Sequence, residues 1–341
     1  MPAIPTTDAV RPVALTGDRA TGPLHLGHYA GSLRTRVALQ DTHRQYLLIA
    51  DMQALTDTMH DPAKVGRMAD EIVLDYLAVG IDPDRTTICL QSALPALAEL
   101  TMLYLNLVSV ARLERNPTVK EEIGLRGFGR AVPAGFLCYP VSQAADITAF
   151  RATAVPVGSD QLPMIEQTNE IVRSLNRLCG TAVLPEARAV LSGAARLPGI
   201  DGTGKMSKSR GNAIALSASP DAISQAVRAM FTDPAHIRAE DPGRVDGNVV
   251  FSYLDAFDPD ADLVADLKDR YRRGGLGDST VKRRLDEVLQ EALRPIRERR
   301  KALAADPAIP AGVLARGTQD ARQVTGAVAR DVRRALGLRL T

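Results

Sequence analysis

The chain of 341 residues is 45% hydrophobic and 24% charged with a formal net charge of +2, ample for a buried core and long enough for two domains. Its three cysteines, Cys89, Cys138 and Cys179, show no paired spacing, which excludes a sequence-evident zinc site or disulfide framework. No apolar run reaches the length of a membrane span. The opening "MPAIPTTDAVRP" lacks the basic start and apolar core of a secretory signal, so a cytoplasmic protein is expected.

In chain order, "RPVALTG" (Arg11 to Gly17) reads as a short buried strand entering a glycine turn. Helical periodicity follows from about His28 to Gln40. "QYLLIAD" (Gln45 to Asp51) is a second strand ending at an acid. In "HDPAKVGRMADEIVLDYLAVG" Asp61 can cap a helix and Pro62 suits its first turn. Val65, Met68, Ile72 and Tyr76 keep helical spacing, and Gly80 can stop it. "TTICLQS" (Thr86 to Ser92) is a third strand, "TAVPVG" (Thr153 to Gly158) a later one, and Asp160 to Leu178 is helical. Such alternation predicts a doubly wound, Rossmann-like parallel sheet. After Ser219 the pattern is all helical, with Ser279 to Leu303 and Thr318 to Leu336 the clearest helices and "DPGRVDGN" and "DPAIPAG" as breaks. A domain change is therefore expected near Leu216, dividing the chain into 1–215 and 216–341.

Charge is uneven along the chain. From Lys268 to Thr341 there are 18 Lys and Arg against 9 Asp and Glu. A basic tail on an acidic body points to an anionic partner, although a solvated helical face would look the same.

Two clusters carry chemistry. In "TGDRATGPLHLGHYAGSL" (Thr16 to Leu33), Gly17, Gly22 and Gly27 let backbone approach a ligand closely. The following helix offers N–H groups to a phosphate, and His25 and His28 can donate to oxygens where charge develops. In "GTGKMSKSRGN" (Gly202 to Asn212), Lys205 and Lys208 stand among Ser207, Ser209 and two glycines. A loop of this kind can close over a pyrophosphate leaving group; a flexible basic surface loop would also suit the same residues.

Together these clusters resemble the two hallmark motifs of the class I aminoacyl-tRNA synthetases, here "HLGH" (His25 to His28) and "KMSKS" (Lys205 to Ser209). The subclass resembled is that for tryptophan and tyrosine. "RNPTVKEEI", "YPVSQAADI" and "VPVGSDQ" look like the bacterial tryptophanyl branch. The resemblance implies a Rossmann-like catalytic domain over 1–215 and a helical tRNA anticodon-binding domain over 216–341. It implies His25, His28, Lys205 and Lys208 as catalytic residues. For ATP it implies Arg19, Thr21, Gly22, His25, Gly27, His28, Lys120, Gly158, Asp160, Lys205, Met206, Ser207, Lys208 and Ser209. Magnesium would arrive with ATP, with no protein metal cage. The expected partners are L-tryptophan, tRNA(Trp) and a second copy of the chain, with neither membrane nor DNA. The apolar stretch Glu99 to Leu113 could supply the dimer interface or a core helix.

For the amino acid, Tyr139, Gln143 and Asp146 share one face if their segment is helical. Indole offers only an N–H donor, so its buried partner must be an acceptor, and Asp146 fits. The first strand, "VALTG", lacks the tyrosine that tyrosine enzymes commonly carry there, and Leu15, where many tryptophan enzymes carry a phenylalanine, gives an apolar floor. Tyr139, Gln143 and Gln161 can accept from the α-ammonium. Gly17, Gln53, Val155 and Val157 complete the expected tryptophan pocket. Gln143 and Gln53 replace a methionine and a histidine of the common bacterial form, which fits a divergent branch. A tyrosyl enzyme, a related nucleotidylyltransferase and a paralogue with a partner-binding role are the alternatives.

Overall fold

A computed structural model describes residues 11–191, 197–204, 206 and 210–339. Among them, five parallel strands form one sheet: β1 (Val13–Arg19), β2 (Arg44–Ala50), β3 (Thr86–Leu90), β4 (Ala154–Val157) and β5 (Arg188–Leu191). Their order is β3-β2-β1-β4-β5, and each pairing is parallel. The chain builds outward from β1 in one direction, then starts again on its other side at β4. The crevice at the carboxyl ends of β1 and β4 is therefore the switch point where such sheets take ligands. Thr16 Oγ1 donates to the Pro156 carbonyl at 3.0 Å and ties these two strands together.

Strand β2 shows why the sheet is covered on both faces. Leu47 and Ile49 belong to one core, Tyr46 and Leu48 to the other. Alternation along a strand sends neighbours to opposite faces, so a run of apolar residues demands cover on both. Each such side chain contributes about 1.5–3 kcal/mol when fully buried.

The helices supply that cover. First come α1 (Leu26–His28), α2 (Arg34–Leu39), α3 (Asp51–Thr58) and α4 (Pro62–Val79). Then follow α5 (Pro95–Leu105), α6 (Val110–Glu114), α7 (Pro117–Arg126), α8 (Ala134–Ala149) and α9 (Leu162–Cys179). The last are α10 (Pro220–Ala229), α11 (Val249–Phe257), α12 (Ala261–Arg273), α13 (Asp278–Leu303) and α14 (Ala308–Ala335).

Several local expectations are corrected. The first helix starts at Leu26, two residues before the expected start, and Tyr29–Leu33 is wound as a wider π-turn before α2. Asp61 stands at the N-cap of α4 without a side-chain capping bond, while Pro62 opens that helix and Gly80 ends it. Strand β3 stops at Leu90, and Gln91–Ala93 form a 3-10 turn. Ser159–Gln161 is also a 3-10 turn, leading into α9. Helix α14 begins at Ala308, so Pro310 and Gly312 lie inside it. A proline in the first helical turn lacks only an N–H that has no intrahelical partner. Strand β5 was not foreseen.

The helices after Leu216 do not stand apart from the sheet. Val281, Leu285, Leu289, Leu293 and Ile296 of α13 share one core with Val65, Ile72 and Tyr76 of α4. Ala321, Val328, Ala329 and Val332 of α14 share the other with Leu97 and Leu100 of α5. The fully buried Asp75 of α4 joins the two regions: Oδ1 accepts from Arg300 Nε of α13 at 2.7 Å, and Oδ2 from the Leu24 backbone N–H at 2.8 Å. Arg300 also engages Glu71.

Arg300→Ala leaves the Asp75 carboxylate buried without its cation. We expect a loss of about 3 kcal/mol in unfolding free energy, measured by urea denaturation; a change under about 0.5 kcal/mol, the range of ordinary surface substitutions, would refute the role given to this pair.

Candidate active site

The histidine cluster is built by the backbone. His25 is the N-cap of α1 with extended dihedrals (φ −133, ψ 172). Its Nδ1 accepts from the Gly27 N–H at 3.1 Å, and His28 Nδ1 accepts from the His25 N–H at 3.2 Å. A backbone N–H can only donate, so each neutral imidazole carries its proton on Nε2, presenting a donor. The two ring centroids are 3.8 Å apart with planes tilted by 52°. Gly27 permits this packing: a Cβ there would lie 2.9 Å from His25 Cε1 and 3.3 Å from Met206 Sδ. Gly17 meets a constraint inside the sheet as well, since a Cβ would collide with the Leu48 carbonyl.

The chain on the far side of the second motif returns to the first. Leu26 N–H donates to the Ile214 carbonyl at 3.0 Å, and Leu216 N–H to the Leu24 carbonyl at 2.9 Å. His25 and Ala215 form an isolated antiparallel bridge. The base of the motif loop is closed by Ile200 N–H on the Asn212 carbonyl at 3.0 Å and by Asn212 Nδ2 on Asp201 Oδ1 at 3.0 Å. Met206 is buried against Gly27. Lys205, Ser207, Lys208 and Ser209 lie outside the described residues.

Beneath His28, Asp18 accepts from Arg36 Nη1 at 2.6 Å and from the Tyr76 hydroxyl at 2.7 Å. Burial alone would raise the Asp18 carboxyl. Arg36, with help from the Tyr76 hydroxyl, more than offsets this and holds it well below the usual carboxylate range. Asp18 therefore stays ionised under the histidine pair. Arg19, at the end of β1, pairs with Asp57 Oδ2 at 2.8 Å, and Arg126 holds the other oxygen of Asp57. Thr21 is half-buried and Gly22 buried.

The second part of the site sits on α8 and β4. Tyr139, Gln143 and Asp146 do fall on one helix, with Tyr139 and Asp146 buried and Gln143 half-buried. Asp146 Oδ2 accepts from Gln91 Nε2 at 2.8 Å, while Oδ1 is buried with no partner among the described residues. Burial pushes the Asp146 carboxyl up to about 7, against the Gln91 hydrogen bond and with a further contribution from Asp51. Leu15 and Val155 are buried in the core that also holds Ala144 and Ala145. Val157 and Gln53 are half-buried, and the Gln53 backbone N–H donates to Gln91 Oε1 at 3.1 Å. Gln161 Nε2 donates to Asp160 Oδ2 at 3.3 Å, and the Asp160 carbonyl accepts from Thr118 Oγ1 at 3.1 Å. A Cβ on Gly158 would press on Asp160 Oδ1 at 2.8 Å. Lys120 is exposed on α7.

Gln91, Asp18, Arg36 and Arg126 escaped sequence reading because their partners are remote in the chain. Surface grooves of about 360 Å³, beside Arg297 and Lys301, and about 280 Å³, beside Leu107 and Glu170, involve none of these site residues.

A parallel sheet whose switch point carries two backbone-fixed histidines, bridged to the base of a lysine-bearing loop, is the framework of a class I synthetase. The chain belongs to this family: the model of the tRNA synthetases class I (W and Y), for tryptophan and tyrosine, matches residues 8–294. It is 54% identical over 330 residues to a tryptophan–tRNA ligase of Clostridium longisporum, covering 96% of this chain and 97% of that one. It is 53% identical over 335 residues to a tryptophan–tRNA ligase of Streptococcus pneumoniae, covering 96% and 98%. Among solved structures, a tryptophanyl-tRNA synthetase of Campylobacter jejuni complexed with ADP and tryptophan superposes with a TM-score of 0.81 at 29% identity, covering 96% of this chain and all of that one.

Gly27→Ala drives a methyl group into the His25 ring. We expect a fall of roughly 10- to 100-fold in amino-acid-dependent ATP–pyrophosphate exchange with an unchanged thermal melt; full activity would show that the packing of this ring is not needed.

Proposed function

We infer that the chain is an ATP-dependent ligase joining L-tryptophan to tRNA(Trp). The tryptophan carboxylate attacks the α-phosphorus of ATP and expels pyrophosphate, forming tryptophanyl-adenylate. The terminal adenosine of the tRNA then takes the tryptophanyl group. The observation that carries this reading is Asp146, a buried carboxylate with one oxygen engaged and the other without a partner among the described residues, beside the buried, apolar Leu15. An indole N–H supplies a donor and accepts nothing, which suits that oxygen; a phenol O–H donates too, and the apolar Leu15, with no tyrosine on β1 to satisfy a phenol oxygen, favours the indole.

In the mechanism we propose, no covalent protein nucleophile is needed, and alignment and charge stabilisation do the work. The Nε2–H donors of His25 and His28 face the α-phosphate as its charge builds, and Lys205 and Lys208 neutralise the departing pyrophosphate. Arg19, Thr21, Gly22 and Lys120 contribute to holding the triphosphate, with Ser207 and Ser209 on the closing loop. Gly27 and Met206 border the adenine, and Gly158 and Asp160 the ribose. Leu15, Gly17, Gln53, Val155 and Val157 enclose the indole, while Tyr139, Gln143 and Gln161 accept from the α-ammonium. Magnesium arrives bound to ATP.

Residues 216–341 bind the anticodon arm through their basic surface, in a salt-dependent manner. Because α13 and α14 share the cores of the sheet, this division is one of function within a jointly packed body. The enzyme works in the cytoplasm as a homodimer. Helices α5 and α6 bury Leu100, Tyr104 and Leu113 but expose Met102 and Val110, so this stretch serves both the core and an outward apolar face suited to the second copy.

The test is ATP–pyrophosphate exchange with tryptophan and tyrosine supplied separately. Exchange with tryptophan alone is expected, and exchange with tyrosine alone would overturn the assignment. Lys205→Ala and Lys208→Ala are expected to lower the adenylation rate far more than they weaken tryptophan binding; near-normal turnover would remove their transition-state role. The ionised form of Asp146 accepts the indole N–H, and a carboxyl is ionised above its pKa. With that pKa raised to about 7, kcat/KM for tryptophan is expected to fall as pH drops below about 7. A flat profile from about pH 6 to 8 would contradict the role of this group.

A further inference from the structure

Gln91 is buried in the 3-10 turn that ends β3, and both ends of its amide are committed. Oε1 accepts the Gln53 N–H at 3.1 Å, and Nε2 donates to Asp146 Oδ2 at 2.8 Å. Because a backbone N–H can only donate, the first bond fixes which end of the amide meets Asp146. A flipped amide would set its oxygen against a carboxylate.

The backbone on either side is gripped as well. The Leu90 N–H donates to Thr318 Oγ1 of α14 at 3.1 Å, and the Ser92 N–H to Asp51 Oδ1 of α3 at 2.9 Å. Three bonds from two separate elements, α3 and α14, thus hold one amide against one carboxylate oxygen, while Asp146 Oδ1 has no partner among the described residues.

We propose that Gln91 is a specificity-determining positioning residue, which occupies Oδ2 of Asp146 so that Oδ1 is the oxygen presented to the indole N–H of tryptophan. This rests on tryptophan as the substrate and on Asp146 as its partner. The titratable groups around Asp146 are Asp51 on α3, which disfavours a second negative charge, and Cys89 on β3, whose thiol is itself pushed up by burial and by Asp146. Tyr104 on α5 is engaged by Thr148, at 2.8 Å. Gln91 supplies the hydrogen bond that opposes burial and Asp51. Without it the carboxyl takes up a proton at higher pH. A protonated carboxyl then has an O–H to place, which an indole N–H cannot accept but a phenol oxygen can. Loss of Gln91 therefore weakens tryptophan selectively and narrows its advantage over tyrosine.

The test is ATP–pyrophosphate exchange by the full chain from about pH 6 to 9, comparing wild type, Asp146→Ala, Gln91→Met and Gln91→Glu, with KM for ATP and thermal melting in parallel. Gln91→Met is expected to raise KM for tryptophan about tenfold, as for a lost hydrogen bond to a charged group. Its ATP KM and its rate at saturating tryptophan should stay within about twofold, and the acid limb of its profile should move to higher pH. In Gln91→Glu one proton shared between two carboxylates lets Glu donate, so tryptophan use improves toward acid pH, opposite to wild type. A uniform rise in both KM values with a lowered melt, or a wild-type tryptophan KM and profile in both variants, overturns the positioning role. If Asp146→Ala also keeps a normal tryptophan KM, the error lies in Asp146. If wild type exchanges with tyrosine alone, the substrate reading fails and the proposal falls with it.

Discussion

The carboxylate of Asp75 is the contact on which the arrangement turns. It is fully buried, receives the N–H of Leu24 on one oxygen and the guanidinium of Arg300 on the other, and so links the residue before His25 to a helix more than two hundred positions away. Burial pushes its carboxyl up, while Arg300 and the Leu24 N–H oppose that. A charge this deep is tolerable only while both partners stay in place. The approach to the histidine turn is therefore set by how α13 docks on α4, and the helical C-terminal part is a structural support of that turn.

The same logic governs the turn itself. Its imidazoles are oriented by backbone N–H groups, which cannot change rotamer or protonation, and its glycine makes room where a methyl would strike the ring. The π-turn that follows widens the helix at Tyr29–Leu33, a feature that recurs at functional sites. Below it, Asp18 is kept ionised by Arg36, so a fixed negative charge lies beside the histidine turn. Catalysis that relies on preorganised donors needs this kind of over-determined geometry.

Much of this was legible in the sequence where a residue type has few alternative uses. Two histidines around a glycine and an intact lysine-serine loop identify the chemistry, and apolar β1 to β3 separated by capped helices identify the sheet. What escaped was decided by contacts between distant positions. Strand β5 has four residues, two of them exposed, and carries no alternation to read. Pro310 and Gly312 look like a break, yet one sits in the first turn of α14 and the other on its exposed side. Asp75 reads as a polar residue of an amphipathic helix until Arg300 is brought to it. Gln91 has no sequence signal at all, because its meaning lies in Asp146, 55 residues further on.

The two cores divide the work of the site. The core containing Leu24, Leu26 and Met206 surrounds the histidine turn, and α13 completes it. The core containing Leu15, Ala144, Ala145 and Val155 surrounds the acceptor on α8, and α14 completes it. In the function proposed above, nucleotide chemistry and amino-acid recognition would draw on opposite faces of one sheet and meet at the carboxyl ends of β1 and β4. Helix α13 joins the first face through Arg300, while α14 reaches both: Val313 and Leu314 pack on the first core, and Ala321, Val328 and Val332 lie in the second. The same C-terminal segment is thereby built into both cores, so the placing of the histidine turn and the placing of Asp146 share one support.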